Sequence, residues 1–217
     1  MLLSQAIEMP GEHLLELPGE LGPLEACLNV PNHKISSYVA ILGHPHSLHG
    51  GTMNNKVVTT LSRVFKDLGI VNLRFNFRGV GNSYGAYDAG LGESLDMCQL
   101  AHYCQEVLPS AACIFAGFSF GSYVAYRAAS LMSSRFLIMI APSVDHYDYT
   151  EFKSSPTASM IVAADLDEIV PLSSILSFAD QTKYPVLRFP EATHFFHGQL
   201  LNLKAALTDA IQNELSL

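Results

Sequence analysis

The chain alternates between short, almost wholly apolar runs and longer segments whose apolar residues recur every three or four positions. The runs cover residues 37–43, 70–77, 111–116, 135–141, 158–164 and 186–189. Near-continuous apolarity over such lengths predicts strands buried on both faces. Between them lie segments with helical spacing. Residues 54–68 place Val57, Val58, Leu61, Val64, Phe65 and Leu68 on one face, and Gly69 closes the turn. Residues 91–107 read as a helix stopped by Pro109; residues 122–129, 171–182 and 195–215 read as three more. Strand and helix alternate throughout, so the chain is α/β, with a mostly parallel central sheet and helices on both faces. The amino-terminal part differs. Residues 14–17 and 24–30, separated by Pro18-Gly19, predict an antiparallel meander at a sheet edge. With no repeat, linker or low-complexity tract, the 217 residues read as one domain, 1–217.

Composition narrows the possibilities. A hydrophobic content of 49% provides a well-filled interior, and no apolar run is long enough to span a bilayer. The amino terminus lacks a basic segment and meets Glu8 early, unlike a signal peptide, so a cytoplasmic protein is expected. A net charge of −8 argues against nucleic acid or an anionic membrane as a partner. Cys27, Cys98, Cys104 and Cys113 form neither a C-x-x-C pair nor zinc-ligand spacing, and are expected to be reduced and buried. The Gly79/Gly81 loop departs from both glycine-rich phosphate-binding frames, because Tyr84 stands where the last glycine would be. His44, His46 and His49 have no carboxylate or thiol beside them, so no metal and no cofactor are expected.

Chemistry points to residues 117–121, Gly-Phe-Ser-Phe-Gly, set between a buried strand and a helix. Gly-x-Ser-x-Gly in that context is the frame of a nucleophile elbow. Its turn needs glycine where backbones crowd, and the helix behind it turns free N–H groups towards developing negative charge. A serine nucleophile needs a base, and the base needs an orienting acid, in the chain order Ser, acid, His. Asp165, Asp167 and Glu168 all follow the run 158–164; Asp167 lies farther out than Asp165, where a pocket should open, and is preferred. Of the later histidines His146, His194 and His197, His194, after the last strand, is the expected base, with His197 directed along the final helix. For the oxyanion, the Phe120 amide supplies one donor. Pro45 has no N–H, so the His46 amide is the expected second, with Gly50 and Gly51 as the alternative. Phe118, Phe195, His44 and Arg78 are the expected pocket residues.

Several segments together resemble the α/β-hydrolase superfamily, and most of all its small, lidless bacterial members. They are His44-Pro45-His46-Ser47, residues 50–56 (Gly-Gly-Thr-Met-Asn-Asn-Lys), residues 74–83 (Arg-Phe-Asn-Phe-Arg-Gly-Val-Gly-Asn-Ser), the elbow, and residues 194–198 (His-Phe-Phe-His-Gly). The resemblance spans nearly the whole chain. It implies the α/β-hydrolase fold without a lid domain and a Ser119, Asp167, His194 triad. The superfamily's Gly-x-x-Asp-x-x-Val frame falls on Asp167 and Val170, with Ala164 in place of glycine. Ser47 in place of a second proline is the other departure.

The expected activity is that of a serine hydrolase cleaving a small to medium carboxylic ester or thioester through an acyl-enzyme. An acylaminoacyl- or prolyl-type peptidase, and a non-catalytic binding protein on the same fold, are the alternatives. The expected partner is a small-molecule substrate, with the protein a monomer or homodimer.

Overall fold

In a computed structural model describing residues 1–35, 37–151 and 158–217, the apolar runs join into one eight-stranded sheet. After a one-turn helix α1 (Leu3–Ala6), strands β1 (Gly11–Pro18) and β2 (Pro23–Val30) form the antiparallel meander, Leu14 facing Cys27 across the pair. Then follow β3 (Tyr38–Gly43), α2 (Lys56–Asp67), β4 (Val71–Phe75), α3 (Leu91–Val107), β5 (Ala112–Phe118) and α4 (Phe120–Leu131). The last part comprises β6 (Phe136–Ile140), β7 (Ser159–Ala164), α5 (Leu172–Thr182), β8 (Val186–Phe189) and α6 (Leu200–Leu215).

Strand order is β1-β2-β4-β3-β5-β6-β7-β8; only the β1–β2 and β2–β4 pairs are antiparallel. Burial explains the unbroken apolar runs. In β3, Val39 and Ile41 enter the core under α3, α4 and α5, while Ala40 and Leu42 enter the opposite core under α2 and α6. In β5, Cys113 and Phe115 face the first core, and Ile114, Ala116 and Phe118 the second. Both faces of β3 and β5 are therefore apolar, as a doubly covered parallel sheet favours, whereas β4 carries the buried polar residues Asn72 and Arg74.

The topology also selects where a site can form. From β3 the chain crosses by α2 to β4 on one side, then by α3 to β5 on the other. The reversal opens a crevice at the carboxyl ends of β3 and β5, where ligands bind in such sheets.

Two expectations need adjustment. The last helix begins at Leu200, not residue 195, because Phe196 (φ 53°) and Gly198 (φ 73°) take left-handed conformations that no α-helix accommodates. His197 therefore lies in a turn beside the Phe195 ring, not along a helix. The β6–β7 connection, residues 141–158, is far too short for a lid domain, and its residues 152–157 lie outside the described residues. Among the described residues, no helix is long and apolar enough to cross a membrane.

Candidate active site

Ser119 sits at the sharp turn between β5 and α4 with φ 55° and ψ −119°. A non-glycine residue there is strained and persists only when its surroundings over-determine it. They do. The Ser119 N–H donates to the Ile140 carbonyl at 2.8 Å. The Ser122 hydroxyl lies 2.8 Å from the Gly117 carbonyl oxygen and 2.9 Å from that of Ile140. A Cβ on Gly117 would overlap the Gly121 carbonyl, and one on Gly121 would overlap the carbonyl of Gly43. The glycines of the frame thus let the start of α4 pack directly on the ends of β5 and β3.

The loop after β8 brings His194 back over this turn. Its Nε2 lies 3.0 Å from Ser119 Oγ, and its Nδ1 lies 2.8 Å from Asp167 Oδ2. A carboxylate can only accept, so Nδ1 carries the proton and Nε2 turns its lone pair to the serine. Asp167 is locked in turn: its Oδ1 accepts the N–H groups of Ile169 (2.9 Å) and Val170 (2.8 Å), and its side chain is fully buried. Glu168 adds a second hold, accepting the His194 backbone N–H at 3.1 Å. The Phe118 ring backs the imidazole, centroid to centroid at 5.0 Å. Asp165, the other candidate, points elsewhere and forms a two-pronged pair with Arg188 on β8, at 3.0 and 2.6 Å.

The loop after β3 faces this constellation. His44 is wholly buried; its Nε2 accepts the Phe77 N–H at 2.9 Å and its Nδ1 donates to the Pro45 carbonyl at 2.6 Å. Burial, only partly opposed by that bond, lowers its pKa to about 4, so it stays neutral. The Pro45 carbonyl and the His46 N–H belong to one peptide plane. His44 therefore fixes the orientation of the His46 amide. Gly51 closes against the same carbonyl, and a Cβ there would overlap it. Among the described residues, neither the His46 nor the Phe120 backbone N–H has a hydrogen-bond partner.

A cavity of about 360 Å³ opens above Ser119, lined among others by Pro45, His46, Phe120, His194, Phe195 and Ile169. Of the expected pocket residues only Phe195 lines it. Phe118 is buried behind His194, and His44 is the buried brace of the loop after β3. Arg78 is also absent from the cavity wall. Its side chain is 4% exposed, pairs with Asp96 at 2.8 Å and Glu20 at 3.2 Å, and ties the loop after β4 to α3 and the β1–β2 turn. Breaking a buried ion pair leaves its partner charge unpaired. Arg78→Met is therefore expected to lower unfolding free energy by about 3 kcal/mol, read from the urea midpoint, while the folded fraction keeps its activity. A folded Arg78→Met protein with little activity would return this residue to the site.

Sequence reasoning missed Asn55, Ser143, Tyr147 and Ile169 as lining residues. Ser143, at 3.5 Å from Ser119 Oγ, and Tyr147 come from the connection after β6, which carries no motif. Their only signal was that this segment, like those holding His46, Ser119 and His194, leaves the carboxyl edge of the sheet. Among the described residues no group of three or more His, Cys, Asp or Glu side chains is arranged to hold a metal ion.

A mostly parallel eight-stranded sheet with a strained serine on a strand–turn–helix at its crevice defines the α/β-hydrolase class. Comparison with known proteins narrows this further. The chain is 35% identical to a lidless α/β serine hydrolase of Xanthomonas campestris, over 95% of this chain and 94% of that one, with a TM-score of 0.87. It is 37% identical to an α/β serine hydrolase homologue of Coxiella burnetii, over 93% and 98% of the two chains, with a TM-score of 0.88. An uncharacterised protein of Rickettsia prowazekii is 30% identical over 185 residues, 79% of this chain and 77% of that protein. No protein-family model matches the chain. The chain belongs to the family of lidless α/β serine hydrolases.

Proposed function

We propose that the protein hydrolyses small to medium carboxylic esters or thioesters by acyl transfer through Ser119. The observation that carries this reading is the continuous hydrogen-bond relay from Asp167 through His194 to Ser119 at the floor of an open cavity. Ser119 Oγ attacks the substrate carbonyl carbon as its proton passes to His194 Nε2. The carbonyl oxygen becomes an oxyanion and accepts from the Phe120 and His46 amides. The tetrahedral intermediate collapses, breaking the bond to the leaving oxygen or sulfur, which takes the proton from Nε2. Water then attacks the acyl-enzyme, giving its proton to Nε2, and the carboxylic acid leaves as Ser119 regains its own. Asp167 keeps Nδ1 protonated throughout and stabilises the imidazolium. The aromatic and aliphatic lining (Phe120, Tyr147, Ile169, Phe195) suits an apolar acyl part, and the cavity volume falls within the usual range for small-ligand sites.

The test is labelling with a fluorophosphonate, which reacts only with an activated serine, followed by p-nitrophenyl esters of increasing chain length. Labelling of the wild type that disappears in both Ser119→Ala and His194→Ala is the expected result. A folded wild type that neither labels nor turns over any ester would sink the reading and favour a binding protein on this fold.

A further inference from the structure

The chain carries 20 Asp and Glu residues, yet none of them lines the cavity above Ser119. Among the described residues, the lining contains no Lys or Arg either. Its chargeable side chains besides His194 are His46, His49 and His146, together with the Tyr147 phenol. The His46 and His49 rings stack at 4.4 Å. His46 Nδ1 accepts the Leu48 N–H at 3.2 Å, which leaves its Nε2 as the donor. The imidazoles of His49 and His146 have no hydrogen-bond partner among the described residues, and both residues are exposed at the cavity. Burial, and then the presence of His49 and His146, lowers the His46 pKa.

The other titratable groups nearby are occupied or face away. Asp167 and Glu168 hold the ring and backbone N–H groups of His194. The Glu93 carboxylate accepts the N–H groups of Asp88 and Gly90. Asp145 lies in a separate surface depression with Asp148 and Thr150. The Tyr87 and Tyr147 hydroxyls bond each other at 3.0 Å, and burial, with that bond, pushes the Tyr147 phenol far up, keeping it neutral. Among the described residues, no Asp or Glu shares the cavity wall with the three imidazoles.

We propose that His46, His49 and His146 form an anion-binding wall, and that the substrates are esters whose acyl chain ends in a carboxylate. This rests on the hydrolase reading above and adds the substrate class. The leaving oxygen has to meet His194 and the carbonyl oxygen the His46 amide. In this proposal the acyl part lies along the histidine wall, on the cavity lining that His46, His49 and His146 share with Ser119. An imidazole gains its charge as pH falls through about 6.5, whereas an aliphatic carboxylate keeps its charge down to about 4.5. Attraction between wall and substrate thus strengthens on mild acidification.

The test compares p-nitrophenyl hydrogen adipate with p-nitrophenyl hexanoate, which have acyl chains of equal length, one ending in a carboxylate and the other in a methyl group. Spontaneous hydrolysis is subtracted with Ser119→Ala. The readout is the ratio of the two kcat/KM values, in which protonation of His194, common to both esters, cancels. From about pH 8 to about pH 5.5 the wild-type ratio in favour of the adipate is expected to rise about tenfold and to shrink in high salt. In His49→Gln/His146→Gln it is expected to stay nearly flat with pH. Hexanoate turnover with a ratio indifferent to pH, or a double variant that keeps the wild-type rise, overturns the anion wall and leaves the hydrolase reading standing. Turnover of neither ester fails the hydrolase reading itself, and the wall falls with it.

Discussion

Replacing Asp167 with Asn is expected to lower kcat on a p-nitrophenyl ester about ten-thousandfold while KM changes little. This carboxylate has two jobs. Its Oδ1 accepts the Ile169 and Val170 amides, and its Oδ2 accepts from His194 Nδ1. In the amide variant the side-chain oxygen keeps the two backbone donors, because only an oxygen can accept them. The NH2 group then faces Nδ1 and must donate to it. That forces the proton onto Nε2, which then points an N–H at Ser119 and cannot take the serine's proton. Folding is preserved, since shape and the backbone bonds are retained, so the loss appears in kcat. Asp165→Asn is the matched control, two residues away. It weakens only the half-exposed pair with Arg188 and is expected to keep activity within a factor of about three. A large loss in Asp165→Asn with little loss in Asp167→Asn would overturn the assignment of the acid.

The second large effect is expected at His44, which touches no substrate. His44→Phe fills nearly the same space but leaves the Phe77 N–H and the Pro45 carbonyl buried without partners. Each orphaned group costs about 1–3 kcal/mol, so a loss of about 4 kcal/mol is expected near neutral pH. Because the Pro45 carbonyl and the His46 N–H share a peptide plane, the amide also loses its brace, and kcat should fall about a hundredfold, the scale of one oxyanion donor. The pH dependence separates this from simple loss of packing. His44 has a pKa of about 4 in the folded protein, against about 6.5 for an unfolded histidine. Between those values the unfolded chain binds a proton that the folded one does not, so wild-type stability falls as pH drops through about 6.5 and goes on falling to about 4. The loss amounts to about 3 kcal/mol. The variant lacks this term. Urea unfolding from pH 7.5 to pH 4.5 should therefore show the gap between wild type and His44→Phe narrowing on acidification. A constant gap would mean that His44 is not held neutral in the fold.

The pattern of residues along the chain determined the secondary structure of this protein and the candidate nucleophile. Strands buried on both faces are mostly apolar, so β3, β5, β6 and β7 stand out as apolar runs, and the helices between them show their spacing directly. The Gly-x-Ser-x-Gly frame is legible because Gly117, Ser119 and Gly121 lie within one turn, although the neighbour that crowds Gly121 is Gly43 of β3. Which side chains face one another was decided only by the tertiary structure. Asp165 and Asp167 are neighbours on a single turn, and they are told apart by what the fold brings to each, Arg188 from β8 to the first and His194 to the second. His44 and His46 stand two residues apart with similar surroundings in the sequence. One turns inward to Phe77, on a loop distant in the chain, and the other remains at the cavity. Arg78 looked like a site residue because it sits in a glycine-rich loop at the right edge, but the buried partner that claims it, Asp96, comes from α3. The start of α6 was misjudged because two left-handed residues, Phe196 and Gly198, turn the chain after His194 sideways, and apolar spacing carries no record of φ. Spacing along the chain encodes contacts between near neighbours. Orientation across the crevice depends on partners 18 to 75 positions apart, and only the packed sheet brings those together.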